Sequence, residues 1–373
     1  MTNVKKLGEL IEWVDTRNRN GNSTNLLGIN IEKYFMPSVA NIIGTDLSSY
    51  KLIFKNQFAC NPMHVGRDEK MPIALYSDEK PSIVSPAYFV FQVKDVTILN
   101  PEFLMLWFRR IEFDRECWFH TDGSVRGGIT WDEILEMSVP VPSIEEQNRI
   151  VLSYNDIEKR IKLKRQINDN LESQIQSIYE ERFMDCSTSE TTKLGDFVEC
   201  VLGGTPSRDH LEYWNGDISW INSGKVNDFR ITTASEYITK LGLSKSATKL
   251  MPRHTVVLAI TGATLGQESI LLIDSCANQS VVGILENTTL PYEFLHPFIK
   301  MSMKELLRNQ TGGAQPHINK DDVNNIPLSI PTQSDLKKYV ESVQPLYNLI
   351  ENNMFEIDKL NELLTNLLAI LSR

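Results

Sequence analysis

The side chains of this 373-residue chain best suited to chemistry gather in short polar loops. In the first half Arg17, Arg19 and Asn20 lie within residues 16–22, Arg67 follows His64, Val65 and Gly66, and Arg126 sits in the glycine-rich stretch 121–128. In the second half Thr205, Ser207 and Arg208 follow two glycines, Asn222 and Lys225 flank Ser223 and Gly224, and Thr264 closes Thr-Gly-Ala-Thr. Gln315 and His317 end a further loop, 310–317. Arg, Asn and Gln can pair bidentately with base edges, whereas Ser, Thr and glycine amides suit phosphates. The chemistry these loops can do is recognition of a nucleic acid. Such residues also make ordinary turns. The inference therefore rests on several loops in each half, and on the same loop position recurring in both.

Bond-making chemistry is poorly represented. There is no Gly-x-Gly-x-x-Gly, no Walker loop and no His-Glu-x-x-His. The six histidines are isolated from one another, and His64, His120 and His254 are weak candidates as metal ligands. Asn61-Pro62-Met63-His64 matches only part of the Asn-Pro-Pro-aromatic motif of amino-methyltransferases. It lacks the aromatic that stacks on a flipped base. Asp68-Glu69-Lys70 and Asp78-Glu79-Lys80 read as charged turns rather than nuclease clusters. The expectation is a chain with no catalytic residues and no metal or cofactor of its own. An enzyme with a divergent site and a purely structural adaptor stay open as alternatives.

Composition narrows the setting. Apolar content of 41% and aromatic content of 9% are ordinary for a folded protein. Five cysteines, without a Cys-x-x-Cys, argue against a disulfide framework or structural zinc, and for a reducing cytoplasm. No apolar run approaches the ~20 residues of a membrane span, and the N-terminus lacks a signal-peptide core. A formal net charge of −10 argues mildly against a strongly basic nucleic-acid binder acting alone. Any binding must use a local patch, or a partner that adds positive charge.

Two long elements would hold the loops. Residues 144–183 contain no proline or glycine, and Ile150, Tyr154, Ile157, Ile161, Leu171, Ile175 and Ile178 fall at coiled-coil spacing, interrupted at Lys164 and Asn168. Ser143, three residues before Glu146, predicts the N-cap. A second seam runs through Leu336, Val340, Val343, Tyr347, Ile350, Met354, Ile357, Leu364, Leu368 and Leu371, with Asn361 as its polar exception and Pro345 as an expected kink or start. Two helices of one period and similar length predict an antiparallel pair.

The chain also repeats itself. Lys6-Leu7-Gly8-Glu9-Leu10 returns as Lys193-Leu194-Gly195-Asp196-Phe197, and Ile129 to Ile134 returns as Ile318 to Val323. Between these edges the halves differ almost completely. The predicted order is a module (1–143), a central long helix (144–185), a second module (186–332) and a C-terminal long helix (333–373). Strand-like runs at 50–54, 87–93, 255–260 and 279–284, with helical runs at 101–110 and 292–308, make each module mixed α and β. The fold class expected is α+β with an internal pseudo-twofold repeat; strand order does not follow from the sequence.

Lys193-Leu194-Gly195-Asp196, Gly203-Gly204-Thr205-Pro206-Ser207, Tyr213-Trp214, Gly216 to Trp220, Thr261 to Gly266, Asn278-Gln279-Ser280 and Ile326 to Pro331 stand in an order that resembles the specificity subunit of type I restriction–modification enzymes. Asn61-Pro62-Met63 and Val84 to Phe91 are similar to that family's first module, although the 61–67 loop matches only approximately. The resemblance covers essentially the whole chain. It implies two target-recognition domains separated by two long antiparallel coiled-coil helices, each reading one half of a split double-stranded DNA site. It further implies docking of two methyltransferase subunits that carry S-adenosylmethionine. Restriction and translocation subunits carrying ATP and Mg would join for cleavage, and no membrane would be involved.

Overall fold

The computed structural model describes residues 3–21, 23–39, 44–121, 127–184, 191–309 and 318–371. The chain divides into two compact units, Met1–Ile161 with Leu360–Arg373, and Lys162–Lys359. Each therefore combines one module with a stretch of both long helices. No described helix is long and apolar enough to cross a membrane.

The same clasp closes both modules. In the first, strand Asn3–Lys6 pairs antiparallel with Ser138–Val141; in the second, Thr191–Lys193 pairs antiparallel with Pro327–Ser329. Leu7 N donates to Met137 O at 2.8 Å, and Leu194 N to Ile326 O at 3.0 Å. Both leucines are fully buried. A Cβ on Gly8 would come within 3.3 Å of Leu135, and one on Gly195 within 2.9 Å of Asn324. Close approach, not a special backbone angle, demands glycine there. A short helix then precedes each closing strand, Trp131–Glu136 and Lys320–Asn324. Each carries a reciprocal capping box, Thr130 with Glu133 and Asn319 with Asp322. This is the physical content of the sequence repeat.

The repeat extends further than the residues reveal. The first module holds a four-stranded antiparallel sheet in the order Ile11–Trp13, Phe89–Val93, Gln57–Cys60, Ile73–Leu75. The second holds Cys200–Leu202, Val281–Ile284, Val256–Ala259, Glu268–Ile270 in the same relation. In each the first strand pairs with the last, and the last with the second. What differs is appended. The first module adds two-stranded ribbons, Leu27–Ile29 with Phe35–Pro37 and Lys51–Ile53 with Ser82–Val84. The second adds a three-stranded sheet centred on Trp214–Ile221. Cys60, Cys117, Cys200 and Cys276 are buried and free, and burial pushes the Cys200 and Cys276 thiols up to about 11. Cys186 lies outside the described residues.

Both long helices form as expected, over Ile144–Phe183 and Gln333–Ile370, and Pro345 lies inside the second without ending it. Ser143 Oγ accepts from Glu146 N at 3.3 Å, as its spacing predicts. In the first unit Ile150, Val151 and Tyr154 share a core with Leu364, Leu367, Leu368 and Leu371. In the second, Leu171, Ile175 and Tyr179 share one with Leu336, Tyr339, Val343, Tyr347 and Ile350. The pairing is antiparallel: Lys164 reaches Asn353 and Glu356, while Arg182 reaches Asp335 O. Two seam positions are corrected. Tyr339 is fully buried where Val340 is only partly so, and Leu360 is buried where Asn361 is exposed. A helix of 3.6 residues per turn drifts against a strict heptad, and the seam shifts by one residue.

The interruption at Lys164 and Asn168 meets a polar partner in the second unit. Asn353 Nδ2 donates to Asn168 Oδ1 at 2.8 Å, both residues being buried, and Lys164 Nζ donates to Asn353 Oδ1 at 2.9 Å. A polar pair in an apolar seam fixes register at some cost in stability. Asn353→Leu alone should strand the Asn168 amide and lower unfolding free energy by about 1–3 kcal/mol. Asn168→Leu with Asn353→Leu should recover most of that loss in a urea titration of the full chain. Equal loss in single and double variants would contradict this account.

Candidate nucleic-acid interface

Antiparallel pairing determines where the loops fall. In the second unit the strand Cys200–Leu202 ends, and Val281–Ile284 begins, on the same side of the sheet, where Val256–Ala259 also ends. Trp214–Ile221 runs parallel to Cys276–Ala277, so Ile221 and Ala277 end there side by side. Asn278 N donates to Ile221 O at 3.0 Å, Ile260 N to Ser280 O at 2.9 Å, and Gly204 N to Ala277 O at 2.8 Å. Loops 203–208, 222–225, 261–264 and 278–280 thus converge on one sheet end. Ile318 N donates to Ile260 O at 3.3 Å, which returns the chain to that end. Gln315 and His317, just before it, lie outside the described residues.

The 203–208 loop is a built structure. A Cβ on Gly203 would lie 2.1 Å from Asn278 O, and one on Gly204 2.6 Å from Thr248 N, so backbone packs directly on backbone. Two indoles hold the loop: Trp220 Nε1 donates to Gly204 O at 3.1 Å and Trp214 Nε1 to Ser207 O at 3.2 Å. Arg208 lies 3.6 Å over the Trp214 ring and forks Glu236 at 2.6 and 2.7 Å. Thr205 Oγ1 donates to Gln279 Oε1 at 2.6 Å. Asn222 Oδ1 caps Ser223–Asn227 by accepting from Lys225 N at 3.1 Å, which leaves its amide donors for other partners. Lys225 pairs with Asp228 at 2.7 Å. Thr264 ends the short helix Gly262–Thr264, which touches Ser223–Asn227.

The first unit presents the corresponding sheet end. Strand Ile11–Trp13 leads into the loop with Arg17, Arg19 and Asn20; Gln57–Cys60 leads into Asn61 and then Arg67; the turn 85–88 enters Phe89–Val93. Gly66 N donates to Gly127 O at 3.0 Å and Ile129 N to Pro62 O at 3.3 Å. Arg126 lies outside the described residues. The offset of 189 that relates Ile129 to Ile318 also relates Thr16 to Thr205 and Arg19 to Arg208. Buried Asn18 shapes its loop by donating to Ser23 O at 2.8 Å and Leu47 O at 3.3 Å.

Arg17, Arg67, Arg208 and Lys225 each hold a carboxylate of their own module: Asp15 at 2.8 Å, Asp68 at 2.7 Å, Glu236 at 2.6 Å and Asp228 at 2.7 Å. Arg17 Nη1 also donates to Ser49 O at 2.7 Å. Arg19 and Asn20 are exposed, and Arg19 has no carboxylate partner among the described residues. Motif reading did not single out Trp13, which is 41% exposed with Lys51 Nζ 4.6 Å over its ring, and it placed Trp214 and Trp220 only within the family motifs, not as the indole clamp on the 203–208 loop. An aromatic beside a polar loop was the available signal. Among the described residues one cluster could hold a metal, Glu172, Glu268 and His296, and it includes neither His120 nor His254; the side chain of His64 lies outside what is described.

Comparison with known proteins agrees with this duplicated arrangement. The type I restriction modification DNA specificity domain matches twice, over residues 2–173 and 187–362. The chain is 22% identical over 173 residues to the EcoR124I/EcoR124II specificity subunit of Escherichia coli, covering 45% of this chain and 43% of that protein. It is 23% identical over 264 residues to the MjaIX specificity subunit of Methanocaldococcus jannaschii, covering 62% of this chain and 60% of that one. The matches thus span less than two thirds of either relative. A crystal structure of a type I restriction–modification S subunit from M. genitalium superposes over 100% of this chain and 96% of that one, with a TM-score of 0.57 at 13% identity. The chain belongs to the type I restriction modification DNA specificity family and carries its domain in two copies.

Proposed function

We propose that this chain is the non-catalytic DNA-recognition subunit of a type I restriction–modification complex, reading a split double-stranded site with one half assigned to each unit. The observation that carries the reading is the equivalent sheet end in both modules. One strand order presents loops at the same positions, armed with different side chains. A common frame with unlike tips is what two unlike half-sites require.

The paired cations fit this role. Exposed ion pairs such as Arg208–Glu236 contribute only about 0–1 kcal/mol. A guanidinium can therefore exchange its carboxylate for a phosphate or a guanine edge at small cost, already aimed by the Trp214 ring beneath it. The net charge of −10 assigns the surrounding positive field to partners. In this reading two methyltransferase subunits dock on the chain and bring S-adenosylmethionine, and restriction subunits bring ATP and Mg. The working compartment is the cytoplasm.

Two experiments test it. Methylome sequencing of a host expressing the chain with its methyltransferase partner should show one bipartite motif. Arg19→Ala should relax or weaken recognition of the first half-site alone, and Arg208→Ala that of the second alone. A base contact costs roughly 1–3 kcal/mol, or about 5- to 150-fold. Loss of a phosphate contact instead weakens binding alike for every sequence of its own half-site and lowers the salt slope by about 1. Equal losses at both half-sites, or none, would refute the assignment. Separately, removing one helical turn from within 156–172, with a matching turn from the terminal helix, should shorten the preferred gap by about 2 base pairs, since a turn rises about 5.4 Å against 3.4 Å per base step. An unchanged gap would dispose of the helices as a ruler.

A further inference from the structure

Glu172 lies in the second half of the helix Ile144–Phe183, and its side chain is only 10% exposed. The globular part of the second unit surrounds it with basic side chains. Arg230 Nη2 donates to its Oε2 at 2.6 Å, Lys300 Nζ donates to its Oε1 at 2.8 Å, and His296 Nε2 lies 3.5 Å from Oε1. Glu268 completes the group, with Oε2 2.8 Å from His296 Nε2 and Oε1 3.6 Å from Lys300 Nζ. The side chains of Arg230 and His296 are 3% and 1% exposed, and His296 Nδ1 lies 3.1 Å from the Tyr347 hydroxyl of the terminal helix. Burial would raise the Glu172 carboxyl, but Arg230, His296 and Lys300 outweigh it and hold the group far below the usual carboxylate range.

Glu172, Glu268 and His296 bring ligand atoms within 4.8 Å of one another, close enough to suggest a metal. Charge argues otherwise. Two carboxylates already face two permanent cations, so a divalent ion would add its full charge to a neutral, buried group and repel Arg230 and Lys300. The two carboxylates and the two permanent cations already form a charge-balanced set of ion pairs. Buried ion pairs stabilise little relative to apolar packing of the same volume, but they accept few geometries. An apolar contact between a module and a helix tolerates sliding; a carboxylate held on both oxygens by groups from a loop and a second helix does not.

We infer that Glu172, with Arg230 and Lys300, is a positioning element that sets the orientation of the second recognition module on the mid-chain helix, and so confines the protein to one gap between half-sites. The inference rests on the DNA-recognition reading above. None of the three residues lies in the loops assigned to DNA.

The test uses the full chain co-expressed with its methyltransferase partner, and a DNA library carrying both half-sites at gaps from two base pairs below to two above the preferred one. Glu172→Gln should leave each half-site sequence unchanged while methylation at gaps one base pair off rises about tenfold relative to the preferred gap. The combined Glu172→Leu, Arg230→Met, Lys300→Leu variant removes the pins, leaves Glu268 facing His296 alone, and should broaden the gap in the same way; it decides the question if Glu172→Gln fails to fold. A folded triple variant with the wild-type gap profile, or one that loses a half-site instead, would overturn the inference. A wild-type protein that directs no sequence-dependent methylation would overturn the recognition reading itself, and the positioning role with it.

Discussion

The seam between the two long helices is the constraint on which the rest depends. Helices of 40 and 38 residues, each with an apolar stripe and an otherwise polar surface, cannot leave those stripes in water. Burying a Leu, Ile or Val contributes roughly 1.5–3 kcal/mol, and each unit buries several from both helices. Because the stripes belong to one polypeptide and run antiparallel, closing them brings the C-terminal segment back to the first module. A stretch more than 200 residues distant becomes part of that module's core, with Leu371 beside Trp107 and Tyr154. Cores of this kind couple the folding of each unit to the helix pair.

Upon that seam the chain builds one frame twice. The strand clasp, the capped helix before it and the four-stranded sheet recur. Everything variable is placed where the frame is indifferent to sequence: beyond the strand ends, and in the ribbons or extra sheet at the sides. Fully buried Leu7 and Leu194 and crowded Gly8 and Gly195 cannot vary freely, which is why they are what survives of the repeat. Loop tips such as Arg19 and Leu211, the latter 80% exposed, carry no such restriction.

Local physics was legible in the residues and distant pairing was not. The long helices announced themselves through period and the Ser143–Glu146 cap, and strands near 256–259 and 281–284 through short β-branched runs. The seam was misjudged by one residue at Val340 and Asn361, because 3.5 and 3.6 residues per turn separate only over several turns. The shared strand order stayed hidden, since it depends on pairings that unlike interiors conceal. At the candidate interface the loops were found, but not the state of their side chains. Arg208 meets Glu236 across 28 residues of sequence, and Glu172 meets Arg230 across 58 and Lys300 across 128. No spacing rule reaches that far.

The carboxylates that sheathe Arg17, Arg67, Arg208 and Lys225 bear on how such a protein would search a genome. Loose attachment to unrelated duplex is driven by bare positive charge releasing counterions. A surface that keeps its guanidinium groups occupied offers little of that pull, so it would dwell only briefly at wrong addresses. Only a site able to outbid Glu236 and its counterparts would turn brief visits into residence.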